Sequence, residues 1–107
     1  MSSDAFTWDS NLQPWAEKIV WSARKLVAGH SVLSHTLHGD ISVRIPGTDR
    51  FLLTGAGTLE TLATSDLGLL TLDEQILGGN IGPASHEIIG MHAAVYRRRD
   101  DVGAVVH

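Results

Sequence analysis

His107 closes the run Asp101-Val-Gly-Ala-Val-Val-His107, a short apolar segment with an imidazole at its tip. Several zinc enzymes present a metal ligand in this way, on a strand that ends at a sheet rim. Such a site takes three or four protein ligands, commonly two of them close in sequence. His107 would be the first of a set whose other members come from elsewhere. The expectation is therefore the front part of an enzyme, interrupted inside its active site.

The other histidines read more plainly. His30, His35 and His38 fall in a loop-like stretch at spacings that match neither a helix face nor a strand face. They are not expected to form a second zinc site, although His38 adjoins Gly39-Asp40 and would reach a substrate there. His92 sits on the apolar side of its helix, as a satisfied core histidine does. Arg97-Arg-Arg99 has the composition of a phosphate- or nucleic-acid-binding patch. At the end of a helix, however, cations offset the dipole, and that simpler role is the expected one.

Composition narrows the classes. At 107 residues the chain is one domain at most. It is 43% hydrophobic and 19% charged, ordinary for a globular protein. Eight basic residues against 12 acidic ones give a net charge of −4, with no basic stripe. No nucleic-acid partner is expected. No cysteine is present, so any metal would rest on His, Asp or Glu. No apolar run approaches the ~20 residues of a membrane span, and the start Met1-Ser-Ser-Asp-Ala5 lacks the pattern of a signal peptide. A cytoplasmic location is the default expectation.

The elements that must position these groups follow from periodicity. Residues 1–9 read as a loose lead-in. Ser10-Asn-Leu-Gln13 fits a capping box, and Pro14 falls in the first helical turn, where its missing N–H costs nothing. Leu12, Trp15, Ile19, Ala23 and Leu26 then make one apolar helix face, and Gly29 is a plausible stop. Ile41, Val43 and Ile45 alternate with Ser42 and Arg44, the pattern of a half-buried strand. Pro46 to Asp49 has turn composition, and Phe51 to Thr54 is its hairpin partner. Thr58 to Ala63 reads as a short helix, and Leu67–Leu72 with Gln75–Leu77 as a second hairpin around Asp73-Glu74. Gly78 to Pro83 is a connector. Ser85 reads as the cap of a helix to about Arg99, and Val102 to His107 as a final buried strand. This succession is an α+β sheet, mostly antiparallel, with helices packed on it.

The order of several short motifs resembles the class II aldolase/adducin family. They are the N-terminal amphipathic helix, Gly39-Asp-Ile-Ser-Val-Arg44, Leu53-Thr-Gly55, Pro83-Ala-Ser85, and His92-Ala-Ala-Val-Tyr96 through His107. The last stretch is the most specific. Residues 1–107 then correspond to the N-terminal portion of a single domain, incomplete in this chain. The resemblance implies an α/β/α sandwich, a homotetramer with sites between subunits, and Zn2+ or another divalent ion such as Mn2+ or Co2+. It implies carbon–carbon lyase chemistry, by aldol cleavage or decarboxylation, or epimerisation through a retro-aldol step as in ribulose-phosphate epimerases. An adducin-like interaction module without catalysis is the alternative. His107 matches the first of an H-x-H pair of metal ligands. Its companions would come from a missing C-terminal portion or from a second chain.

The resemblance assigns further roles unevenly. Gly39 and Asp40 match a loop that holds a substrate phosphate, where the sugar-phosphate aldolases have Gly-Asn. A carboxylate ~4 Å from a phosphate charge would cost roughly 4 kcal/mol per pair, which favours a non-phosphorylated small-molecule substrate. Asp40 equally fits a turn residue before the strand. Thr54 and Gly55 match a second anion-binding segment, or simply a strand end turning on glycine. The segment 41–53 looks similar to the branch with aromatic-acid decarboxylases. The family's catalytic Glu lies four residues before the helix His, the position of Ile88 here, with Glu87 one further back. Glu87 is either the acid/base after a one-residue slip or a first-turn acid favoured by the dipole. Ser85 and His86 complete the substrate-facing candidates, against plain readings as a helix cap and a surface residue.

Overall fold

Two helices and five strands form in the computed structural model, which describes residues 8–29 and 39–107. Helix α1 (Gln13–Ala28) buries Ala16, Ile19 and Ala23, with Leu12, Trp15 and Leu26 packed beside them. The expected apolar face is thus the observed one. Its start differs. Ser10 makes no cap; the Asp9 carbonyl accepts the N–H groups of Leu12 at 2.8 Å and Gln13 at 2.9 Å. Gln13 does reach back, but its Oε1 accepts the Trp8 N–H at 2.9 Å. The cause is Trp8, which is buried and donates its indole N–H to the Thr64 carbonyl at 2.8 Å. A core anchor, not a hydroxyl, fixes the entry to the helix. The lead-in is therefore not loose at Trp8, while residues 1–7 lie outside the described residues, as do His30, His35 and His38.

Strand β1 (Ile41–Arg44) pairs antiparallel with β2 (Arg50–Thr54) across the Pro46–Asp49 turn, where Gly47 takes φ +76°. Strand β3 (Leu67–Thr71) pairs with β2 and with β4 (Ile76–Gly79), which runs two residues past the expected Leu77. Thr58 to Ala63 forms turns and no helix; the one helical turn there is a 3-10 turn at Thr64–Asp66. Helix α2 (Pro83–Arg98) starts on Gly82, not on Ser85. Strand β5 (Ala104–Val106) lies antiparallel to β1, giving the five-stranded order β4-β3-β2-β1-β5. This corrects the buried reading of the last strand. Within these residues β5 ends the order, and Val106 is 62% exposed.

The helices cover opposite faces of the sheet. Ile41, Ile45, Leu52, Leu67 and Leu69 pack toward α1, whereas Phe51, Leu53 and Leu70 pack with Ile89, Ala93 and Tyr96 of α2. The result is an α/β/α sandwich. Consecutive residues of one strand enter different cores, since their side chains alternate across the sheet. Burying side chains of the size of Phe51, Leu52 and Leu53 is worth about 1.5–3 kcal/mol each, so both cores hold the sheet in place.

Candidate functional site

Strand register places Asp40 against His107. The β1–β5 pairing matches Ile41 with Val106 and Ser42 with Val105, and continues one step beyond the strands. There the Asp40 N–H donates to the His107 carbonyl and the His107 N–H to the Asp40 carbonyl, both at 2.8 Å. Residues that exchange both bonds face each other directly, with side chains on the same side. Asp40 Oδ2 is accordingly 3.1 Å from His107 Nδ1. The His107 side chain is 62% exposed, the Asp40 side chain 12%. One imidazole nitrogen is held, and the ring stands open to solvent.

The same face of β1 carries Ser42 and Arg44, two and four residues on. The half-buried reading fails here, because this face of the sheet is covered by α2 and Ser42 is fully buried. Asp40 Oδ1 hydrogen-bonds His92 Nε2 in a short contact. His92 Nδ1 lies 2.6 Å from Ser42 Oγ, which lies 2.6 Å from Tyr96 Oη. His92 and Tyr96 are four residues apart on α2, hence on one face of it. Both are wholly buried, and His92 is the satisfied core histidine that its place on an apolar helix face suggested. Burial raises the Tyr96 phenol above its ordinary pKa, against weaker lowering by the Ser42 hydrogen bond and the Arg44 charge. Arg44 closes the row. It donates from Nη2 to the carbonyls of Tyr96 at 2.6 Å and Arg99 at 2.9 Å, and from Nε to Val102 at 3.1 Å. A strand cation thus satisfies the negative end of α2. Arg97 and Arg99 instead pair with Glu74 and Asp101 at the surface. Among the described residues no buried side-chain polar atom lacks a partner.

A cavity of about 190 Å³ opens beside this row. Gly39, Asp40, Thr54, Ser85 and Ile88 are among its lining residues. Four expected site residues are therefore brought together from β1, β2 and α2. Gly55, His86, Glu87 and His107 are not in the lining, and His86 and Glu87 are exposed at the start of α2. The position four residues before His92 points Ile88 into the cavity instead. Ser85 Oγ donates to the Thr54 carbonyl at 3.2 Å, tying the helix start to the end of β2. Thr54 Oγ1 accepts the Ile41 N–H at 3.2 Å. The expected backbone anion nest at Gly55 does not form, because the N–H groups of Gly55 and Ala56 both donate to the Asp66 carbonyl, at 2.8 and 3.0 Å. Gly55 serves close packing: a Cβ there would lie 1.8 Å from the Asn80 carbonyl oxygen.

Two chemical properties follow. Asp40 is not a free-standing carboxylate, since each oxygen meets an imidazole. His107 with Nδ1 on a carboxylate is the usual outer arrangement of a metal-binding histidine. The donor set thus fits one ligand of a divalent ion. Among the described residues no group of three or more His, Cys, Asp and Glu side chains converges to complete such a site. Sequence reasoning missed Ser42, Tyr96 and Arg44 as parts of this arrangement. The available signal was the presence of two polar residues alternating within a strand flanked by helices.

Comparison with known proteins agrees with this architecture. The chain is 33% identical over 98 residues to a 5-deoxy-D-ribulose 1-phosphate aldolase of Bacillus thuringiensis serovar kurstaki, a match covering 90% of this chain and 44% of that protein. The chain thus spans less than half the length of this relative. The solved structure of an L-fuculose 1-phosphate aldolase from Glaciozyma antarctica shares the fold, with a TM-score of 0.70 at 24% identity, over 97% of this chain and 44% of that one. YgbL of Klebsiella pneumoniae, described as a putative aldolase/epimerase/decarboxylase, superposes with a TM-score of 0.74 at 23% identity, over 96% and 45%. Among the described residues no helix is long and apolar enough to cross a membrane. Residues 17–107 match the class II aldolase and adducin N-terminal domain, and the chain belongs to that family.

Proposed function

We propose that this chain supplies the substrate cavity and one metal ligand of a divalent-metal-dependent, aldolase-type carbon–carbon lyase. The carrying observation is the Asp40–His107 pair at the rim of the sheet, one nitrogen of the imidazole held and the ring exposed beside a small polar cavity. His107 Nε2 would ligate Zn2+, or Mn2+ or Co2+ in its place. The remaining histidine ligands would come from sequence beyond His107 or from a second chain, in an oligomer that shares its sites between subunits. The chemistry such an ion would supply is Lewis-acid polarisation of a carbonyl or enediolate oxygen during carbon–carbon cleavage.

The chain's own residues do the rest. Asp40 orients the His107 ring. Gly39, Thr54 and Ser85 form the floor on which a small hydroxy-carbonyl or hydroxy-carboxylate substrate rests. Glu87, exposed on α2 one position before the cavity residue Ile88, would carry the proton with His86 beside it only where further sequence or a second subunit completes the site around them. The name of the curated relative supports aldol cleavage over decarboxylation and makes a ketose 1-phosphate a substrate to test.

The test is a metal-dependent cleavage assay on the natively purified protein, with all accompanying polypeptides, against ketose 1-phosphates and aromatic hydroxy-acids. Cleavage that is lost on chelation, restored by Zn2+, Mn2+ or Co2+, and absent in His107→Ala is the expected result. No turnover of any substrate, and no metal uptake, would favour the adducin-like module instead.

A further inference from the structure

The buried polar row has a direction. His92 Nε2 and His107 Nδ1 both approach Asp40, one on each carboxylate oxygen. A carboxylate only accepts, so both nitrogens must carry protons. When the His92 ring carries a single proton, on Nε2, its Nδ1 offers a lone pair, which the Ser42 hydroxyl fills by donating across 2.6 Å. Ser42, having spent its proton, accepts from the Tyr96 phenol across 2.6 Å. Tyr96 is suited to start the row, because burial keeps the phenol protonated. The opposite direction fails. With His92 protonated on Nδ1 alone, two lone-pair atoms would confront each other between His92 and Asp40. Unpartnered groups in so buried a place are costly.

We propose that Tyr96, Ser42 and His92 are positioning residues, forming a one-way hydrogen-bond row that fixes Asp40 and holds His107 as the Nδ1–H tautomer with its Nε2 lone pair facing outward. Every proton in the row points toward Asp40, so the carboxylate cannot swing, and the imidazole opposite cannot exchange tautomers. This deepens the metal-ligand reading of His107 and rests on it for its purpose, but the tautomers exist without a metal. The row starts at a residue 11 positions before His107 in sequence and reaches it only through β1 and α2. Hydrogen positions are assigned from this network, and they are open to measurement.

The test is 15N NMR of the histidine rings in the full chain, metal-free and mildly alkaline so that exposed imidazoles are neutral. The expected pattern is a proton on Nε2 of His92 and on Nδ1 of His107. In Ser42→Ala, His92 should become a mixture of tautomers, and in Tyr96→Phe, which keeps the ring packing, the Ser42 hydroxyl should turn and shift the His92 Nδ1 resonance. A wild-type proton on His92 Nδ1 or on His107 Nε2 would overturn the proposal. So would ring resonances unchanged in both variants; Tyr96→Phe carries the test if Ser42→Ala does not fold. Metal affinity is read separately. A roughly tenfold loss in either variant is expected from an outer-shell role. If the tautomers are as described but no metal binds, the row stands and the metal-dependent lyase reading fails.

Discussion

The two faces of one sheet are built on different principles. Toward α1 the sheet is mainly aliphatic, and Ile41, Ile45, Leu52, Leu67 and Leu69 meet Ala16, Ile19 and Ala23. Toward α2, Phe51, Leu53 and Leu70 form a similar patch, but Asp40 just ahead of β1, and Ser42 and Arg44 within it, stand in place of hydrocarbon. Burying polar groups on that side adds no stability over an apolar core and is tolerated only because each is hydrogen-bonded. Both faces hold the sheet through hydrocarbon; the α2 face also carries the polar row that ends on Asp40 and His107. The polar row is thus set apart from the α1 core by the two-residue period of a strand.

Truncating hydrocarbon should break both faces equally. Phe51→Ala and Leu52→Ala, neighbours in sequence on opposite faces, should lose about 3–5 and 2–5 kcal/mol respectively, read from urea melts. The faces should part company under changes of polarity. His92→Leu leaves the Asp40 carboxylate and the Ser42 hydroxyl each short of a partner, at a cost of about 3 kcal/mol. Ile19→Leu on the α1 face, a volume-conserving change, should cost less than about 1.5 kcal/mol in the same assay.

A smaller effect sharpens the contrast. Tyr96→Phe should cost about 1 kcal/mol near neutrality, the worth of one hydrogen bond. Its pH dependence is more telling. The folded phenol has a pKa raised by burial, so its contribution is complete below the ordinary tyrosine range and is lost as pH rises through the folded value. Thermal melts should show an alkaline decline in the wild type that Tyr96→Phe reduces. The least effect belongs to the surface. Arg99 donates two bonds to Asp101, at 2.9 and 2.7 Å, and holds its carboxyl below the usual range. That contribution exists above the unfolded aspartate's titration and fades on acidification. Both side chains are well exposed, so Asp101→Asn should leave the melting temperature unresolved from wild type.

Local pattern made much of the fold legible. The α1 face, both hairpins and α2 follow from spacings within a few residues, and the structure agrees on all of them. What depended on distant partners was misread. Ser42 looks solvated in an alternating strand, and only the arrival of α2, carrying His92 and Tyr96 50 and 54 residues later, makes it buried. Asp40 looks like a loop residue until β5 pairs beside it. Ser10 and Ser85 have the chemistry of caps, but Trp8 and Gly82 fix those helix starts instead. Glu87 illustrates the limit of spacing: one residue along a helix is a 100° turn, and Ile88 takes the place on the cavity wall.

The central claim is that His107 is held by Asp40 in order to bind a metal. Its most direct test is the metal content of the natively purified protein, together with any polypeptide that accompanies it, in wild type and in His107→Ala. The account predicts a stoichiometric transition metal in the wild type that is lost from a still-folded His107→Ala. Equal metal in both, or none in either after reconstitution with Zn2+, Mn2+ and Co2+, would contradict it.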